Sequence, residues 1–155
     1  MKKILFLHGL ESRPGGAKPK FLKENGFRVL NPSLPKSSFE ESMRIAQQAV
    51  DLENPDVIVG SSRGGAIALC LEPRGAKLVL IAPAWKRFNE VGRDVSVKSD
   101  CVILHSEADD IVSIEDSVQL AEASSSTLIQ VGLNHRMNDP DALEGILDAV
   151  NWVSR

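Results

Sequence analysis

The chain has 155 residues, 43% of them hydrophobic and 25% charged, with a formal net charge of -3 at pH 7. That length suits one domain with a hydrophobic core of its own, without disulfide or metal staples. The mildly acidic balance gives no reason to expect nucleic acid or an anionic membrane as partner, and no apolar run is long enough to span a bilayer.

The chain opens with Met1-Lys2-Lys3-Ile4-Leu5-Phe6-Leu7-His8-Gly9. Its apolar run is too short for a secretory leader and lacks a small-residue cleavage site, so Ile4–Leu7 reads as a first strand. Pro14-Gly15-Gly16-Ala17-Lys18 is a glycine-rich turn opening a helix, a setting in which phosphate can bind. It has neither phosphate-loop spacing and reads as flexible loop. A helix over Lys20–Asn25 ends at Gly26, and Phe27–Leu30 is a second strand. Ser38 and Glu41 have capping-box spacing, followed by Met43, Ala46 and Val50 on one helical face. Val57–Val59 is the third strand and Leu78–Ile81 the fourth. The connection from Ala82 to Asp100 holds Pro83, Trp85, Phe88 and Gly92 without a period. A loop of that length is usually functional or mobile, and it is placed to overhang a site. Val102–Leu104 is the fifth strand. Ser113 with Asp116 opens a helix carrying Val118 and Ala121. Thr127–Val131 is the sixth strand. Asp139 and Pro140 read as N-cap and first position of a last helix, whose buried stripe is Leu143, Ile146, Leu147 and Val150.

Strands that are nearly continuous apolar runs, alternating with helices, predict an α/β fold. The expectation is one domain over 1–155: a doubly wound, mostly parallel sheet of about six strands in the order 2-1-3-4-5-6, with helices on both faces. Loops after the strands then gather at one edge.

Gly60-Ser61-Ser62-Arg63-Gly64 lies between a strand and a helix, the context of a nucleophile elbow. Ser62 is centred between the glycines; Ser61 is the weaker candidate. A serine hydroxyl needs a base, itself oriented by a third group. Only three histidines are present. His135 lies in a loop after the last strand and is the candidate base; His8 and His105 read as turn-shaping residues that bond loop backbone. Asp109 is the candidate orienting acid, with Asp110 and Glu107 as rivals. An oxyanion hole needs backbone N–H groups, supplied by Arg63 and, after His8-Gly9, by Leu10. Cys70 and Cys101 have no metal-type spacing and read as small buried hydrophobes in a reducing compartment. Trp85 and Phe88 wall an acyl pocket or anchor the loop to the core; the sequence leaves both open. Arg13, Arg63, Arg87 and Arg136 lie near the active loops, as ligands for a substrate carboxylate or as solvated charges.

On His8-Gly9, the Gly60–Gly64 elbow, His105 through Asp109 with Ile111-Val112, and His135, the chain resembles the α/β-hydrolase superfamily. The order Ser, Asp, His is that family's order. The resemblance covers nearly the whole chain and is most similar to compact bacterial esterase-like members with little or no lid. It implies Ser62 as nucleophile, Asp109 as acid, His135 as base and the Leu10 and Arg63 amides as oxyanion donors. The chain departs in lacking the two strands that usually come first, in carrying Ser61 where many members have histidine, and in having no room for a helical cap. The expected function is a serine hydrolase without metal or cofactor, cleaving small carboxylic esters or thioesters through an acyl-enzyme. Cleavage of an amide or peptide bond, or binding with little turnover, are the alternatives. The expected partner is a small acyl substrate, with neither nucleic acid nor membrane, in the cytoplasm.

Overall fold

The computed structural model describes residues 1–88 and 96–155. Gly92 and the middle of the 82–100 connection, which the sequence places to overhang a site, lie outside the described residues. Among the described residues, strands β1 (Lys3–Leu7), β2 (Arg28–Leu30), β3 (Val57–Ser61), β4 (Lys77–Ile81), β5 (Cys101–His105) and β6 (Thr127–Gln130) form one sheet in the order β2-β1-β3-β4-β5-β6. Every neighbouring pair is parallel. This is the expected order, with no antiparallel member.

Helices α1 (Ala17–Glu24), α2 (Phe39–Glu53), α3 (Arg63–Cys70), α4 (Ile114–Ser124) and α5 (Pro140–Val153) supply the crossovers. Strand alternation divides the core in two. Leu5, Leu7, Ile58, Leu78, Leu80 and Ile103 face Val50, Ile67 and Leu120 of α2, α3 and α4. Ile4, Phe6, Val57, Val59, Val79 and Ile81 face Leu22, Ile146 and Val150 of α1 and α5. Burial on both faces is why these strands read as unbroken apolar runs. Leu7 lies opposite Gly60, Ser61 opposite Ile81, and His105 opposite Gln130. The carboxyl ends therefore finish level, and the loops that follow them share one edge.

The helix ends follow local chemistry. At α1, Phe27 N–H bonds Leu22 O at 3.3 Å and Gly26 N–H bonds Lys23 O at 3.2 Å, the paired bonds of a Schellman stop. Ser38 Oγ caps α2 by accepting from Glu41 N–H at 3.1 Å. The reciprocal half of the expected capping box is absent, because the Glu41 carboxylate pairs with Arg44. Asp139 caps α5 with Pro140 in its first turn. The α5 stripe is rotated from the expected one: Ala142, Ile146, Ala149 and Val150 are buried, while Leu143 and Leu147 are half-buried. Small residues let α5 sit close to the sheet; a Cβ on Gly145 would lie 3.3 Å from Leu104 Cδ2.

Candidate active site

Between β3 and α3 the chain reverses at Ser62, whose φ of 55° and ψ of -113° place it outside the regions that non-glycine residues favour. Such strain costs on the order of 1–3 kcal/mol and persists only when neighbours fix it. They do so here. Ser62 N–H bonds Ile81 O at 2.9 Å, and Ser62 O accepts from Gly65 N–H at 3.0 Å and from Ala84 N–H at 3.0 Å. The flanking glycines permit the close approach: a Cβ on Gly60 would lie 2.5 Å from Gly64 O, and one on Gly64 would run into the Leu7 carbonyl.

His135, from the loop after β6, brings Nε2 to 3.0 Å from Ser62 Oγ. Its Nδ1 lies 2.6 Å from Asp109 Oδ2, from the loop after β5. The carboxylate accepts, so Nδ1 carries the proton and Nε2 is left to accept from the serine hydroxyl. Ser62, His135 and Asp109 are thus brought together in series. Asp110 and Glu107 are exposed and make no bond to His135.

Asp109 is fully enclosed, its side chain 0% exposed. Oδ1 accepts from the Ile111 and Val112 amides, each at 2.8 Å, and Oδ2 accepts from both His135 and His105. Burial opposes its charge, but the Val112 amide, the His135 bond and the Ile111 amide outweigh it and hold the carboxyl below its ordinary range. His105 does more than shape a turn. Its Nε2 faces two acceptors, Asp109 Oδ2 at 3.0 Å and Val112 O at 2.9 Å, and so carries a proton; Nδ1 lies 2.7 Å from Ser117 Oγ.

His8 fixes the loop after β1. Its Nε2 accepts from Leu34 N–H at 3.0 Å, so Nδ1 carries the proton and donates to Gly9 O at 2.8 Å. Ser12 N–H bonds the same carbonyl at 3.2 Å. In a trans peptide the Leu10 N–H then points away from those donors. Gly9 packs beside Ser62: its Cβ position is 3.5 Å from Ser62 Cβ. The Arg63 N–H is the first of α3 and has no carbonyl within the helix to bond.

The Arg63 side chain is not at the mouth of the site. It is 2% exposed. Nη2 donates to Pro35 O at 2.9 Å and Ser42 Oγ at 3.1 Å. The guanidinium lies 5.6 Å from the Phe39 ring and 5.9 Å from the Phe88 ring, which stack on each other at 5.5 Å. Trp85 Nε1 donates to Asp116 O at 2.9 Å and the ring packs on the core. Trp85 is thus held against the core, and Phe88 against Phe39 and Arg63. The side chains of Arg13, Arg87 and Arg136 are exposed.

Several supporting residues escaped sequence reasoning. Ser106 Oγ donates to Gly132 O at 2.9 Å, tying the Asp109 loop to the His135 loop. Lys18 Nζ donates to Arg136 O at 2.6 Å and Asn138 Oδ1 at 2.9 Å, tying the His135 loop to α1. The one available signal was His105, four residues before Asp109 at a strand end. Neither cysteine is in a disulfide among the described residues, and burial pushes the Cys101 thiol up to about 12. Among the described residues no group of three or more His, Cys, Asp or Glu is arranged to hold a metal, and no helix is long and apolar enough to cross a membrane.

No protein-family model matches the sequence, and no curated protein does. Solved structures match over nearly the whole chain. A candidate hydrolase from Agrobacterium vitis S4 aligns with a TM-score of 0.80 at 17% identity, over 99% of this chain and 88% of its own. The esterase domain of a Rhodothermus marinus protein aligns with a TM-score of 0.76 at 19% identity, over 99% and 86%. Mouse alpha/beta hydrolase domain-containing protein 10 aligns with a TM-score of 0.75 at 17% identity, over 97% and 88%. At these identities the likeness is one of fold.

Proposed function

We propose that this chain, which has the α/β-hydrolase fold, is a serine hydrolase that cleaves small carboxylic esters or thioesters. One observation carries the reading: Ser62 Oγ, the His135 imidazole and the Asp109 carboxylate form an unbroken hydrogen-bonded series at 3.0 and 2.6 Å. Likeness to an esterase domain supports it.

Ser62 Oγ attacks the acyl carbon while its proton passes to His135 Nε2. Asp109 holds the ring's orientation and stabilises the imidazolium. The oxygen that gains charge is met by the Leu10 and Arg63 amides. As the tetrahedral intermediate collapses, the bond to the alkoxide or thiolate breaks and that group takes the proton from His135. Water, deprotonated by the same nitrogen, attacks the acyl-serine, and the acid leaves with Ser62 restored. Cys70 and Cys101 form no disulfide among the described residues, in accord with a reducing compartment, and we propose a cytoplasmic location.

A fluorophosphonate probe and a panel of p-nitrophenyl acyl esters test the proposal. Wild type should be labelled at Ser62 and turn over short acyl esters. Ser62→Ala should lose labelling and lower kcat by roughly 10⁶-fold, the scale found when a triad serine is removed. A folded wild type that resists the probe and leaves every ester intact would overturn it.

A further inference from the structure

A cavity of about 250 Å³ opens beside the nucleophile, between the end of β1, the start of α1 and the loop after β6. Ser62 itself does not line it, but both its neighbours do: Ser61 precedes it in the chain, and the Cβ position of Gly9 is 3.5 Å from Ser62 Cβ. Three cations converge there: Arg13, Lys18 and Arg136. Glu11, the one acid lining it among the described residues, is taken by Lys36 at 3.0 Å. None of the three cations has an ion pair among the described residues. Lys18 spends two of its three N–H donors on Arg136 O and Asn138 Oδ1. Burial and then the Arg136 charge pull its pKa down to about 8, the mark of a cation lacking its counter-charge.

Ser61 supplies an independent observation. Strand alternation turns its side chain to this face, where it lines the cavity at 9% exposure, and its hydroxyl makes no hydrogen bond among the described residues. Its Oγ stays open to the cavity, where a ligand oxygen can accept from it. The first turn of α1 adds the amides of Ala17 and Lys18. Pro19 withholds the next one, so the helix end is short of donors for a three-oxygen phosphate and better matched to two oxygens.

We propose that this cavity recognises a carboxylate carried by the substrate a few bonds from the scissile carbonyl, with Ser61, Lys18 and Arg136 as its ligands. The inference rests on the hydrolase reading and narrows its substrates to half-esters of short dicarboxylic acids.

The test compares p-nitrophenyl hemiesters of succinate and glutarate with p-nitrophenyl butyrate and valerate. Wild type should favour the hemiesters in kcat/KM by about tenfold or more, the scale of one charge-assisted hydrogen bond. In Ser61→Ala and Arg136→Gln, the ratio of hemiester to neutral ester within the same variant should fall toward one. Glutarate should slow fluorophosphonate labelling of wild type. Equal or reversed preference in an enzyme that labels normally, or a ratio unmoved in both variants, overturns the pocket and leaves the hydrolase standing. Stronger preference for a phosphonopropionyl ester overturns the carboxylate assignment. If nothing labels, the hydrolase reading falls, and calorimetry with glutarate decides the pocket alone: binding supports it and no binding ends it.

Discussion

Asp109 joins more of the site than any other side chain. Its carboxylate takes two backbone amides on one oxygen and two imidazoles on the other. Asp109→Asn would set an amide N–H₂ against groups that are all donors and release His135 from its tautomer. A fall in kcat of about 10⁴-fold is expected, with KM little changed, as for the corresponding change in a known triad. The same carboxylate links stability to pH. Its folded pKa lies below the ordinary value, so its ionised form stabilises fully above about pH 4, and that contribution is lost as pH falls through the folded value. Urea midpoints should show wild type exceeding Asp109→Asn at pH 7, with the gap closing in acid. His105 acts through Asp109 as a positioning residue. His105→Ala should lower kcat more than KM, and His105→Gln, which restores a donor toward the carboxylate, should recover part of the loss; equal defects in both variants would leave His105 a packing residue only. The juxtaposition of Ser62, Asp109 and His135 was legible because a chain with three histidines permits a complete search for the base. The His105 bond was not, since a turn-forming histidine and one that grips a carboxylate look alike in sequence.

At the scale of elements, the elbow is the least tolerant joint. A methyl on Gly64 would meet the backbone carbonyl of Leu7, which β1 pairing with β3 holds in place. No side chain can move aside there, so Gly64→Ala should destabilise by at least about 3 kcal/mol, the upper end for overpacking. Ser38→Ala, by contrast, loses one capping bond at the exposed start of α2 and should cost about 1 kcal/mol. Chemical denaturation of the two variants checks both the sizes and the ranking. Strand positions were readable because burial on both faces leaves unbroken apolar runs. The face that α5 buries was not. Hydrophobicity favoured Leu143 and Leu147, whereas packing chose the side where Ala142, Gly145 and Ala149 allow close approach. Residue size decided that orientation, and size carries meaning only once the opposing surface is known.

Across the whole molecule, charge is distributed against its sum. The chain is acidic by three charges, yet Arg13, Lys18 and Arg136 gather at the edge where the strands end level. Sequence order hides this: the bond from Lys18 to the Arg136 carbonyl spans 118 positions. A carboxylate-bearing ester approaching that edge meets a positive field that a neutral ester does not feel. Arg13 and Arg136 are exposed and screened by salt, while Lys18 is half-buried and screened less. Raising sodium chloride from about 0.02 to 0.5 M shortens the screening length severalfold. The kcat/KM for the succinyl hemiester should therefore fall by several-fold to a plateau still above that of the butyrate ester, which should stay nearly constant. Raising pH through about 8 at high salt should then lower the plateau, because Lys18 loses its proton there. The other charged or titratable groups facing it are Arg13, Arg136, Glu11 and His8. Taking the ratio to the neutral ester cancels any pH effect that both substrates share. A hemiester rate indifferent to salt and to pH in that interval would mean the cations at this edge play no part in choosing the substrate.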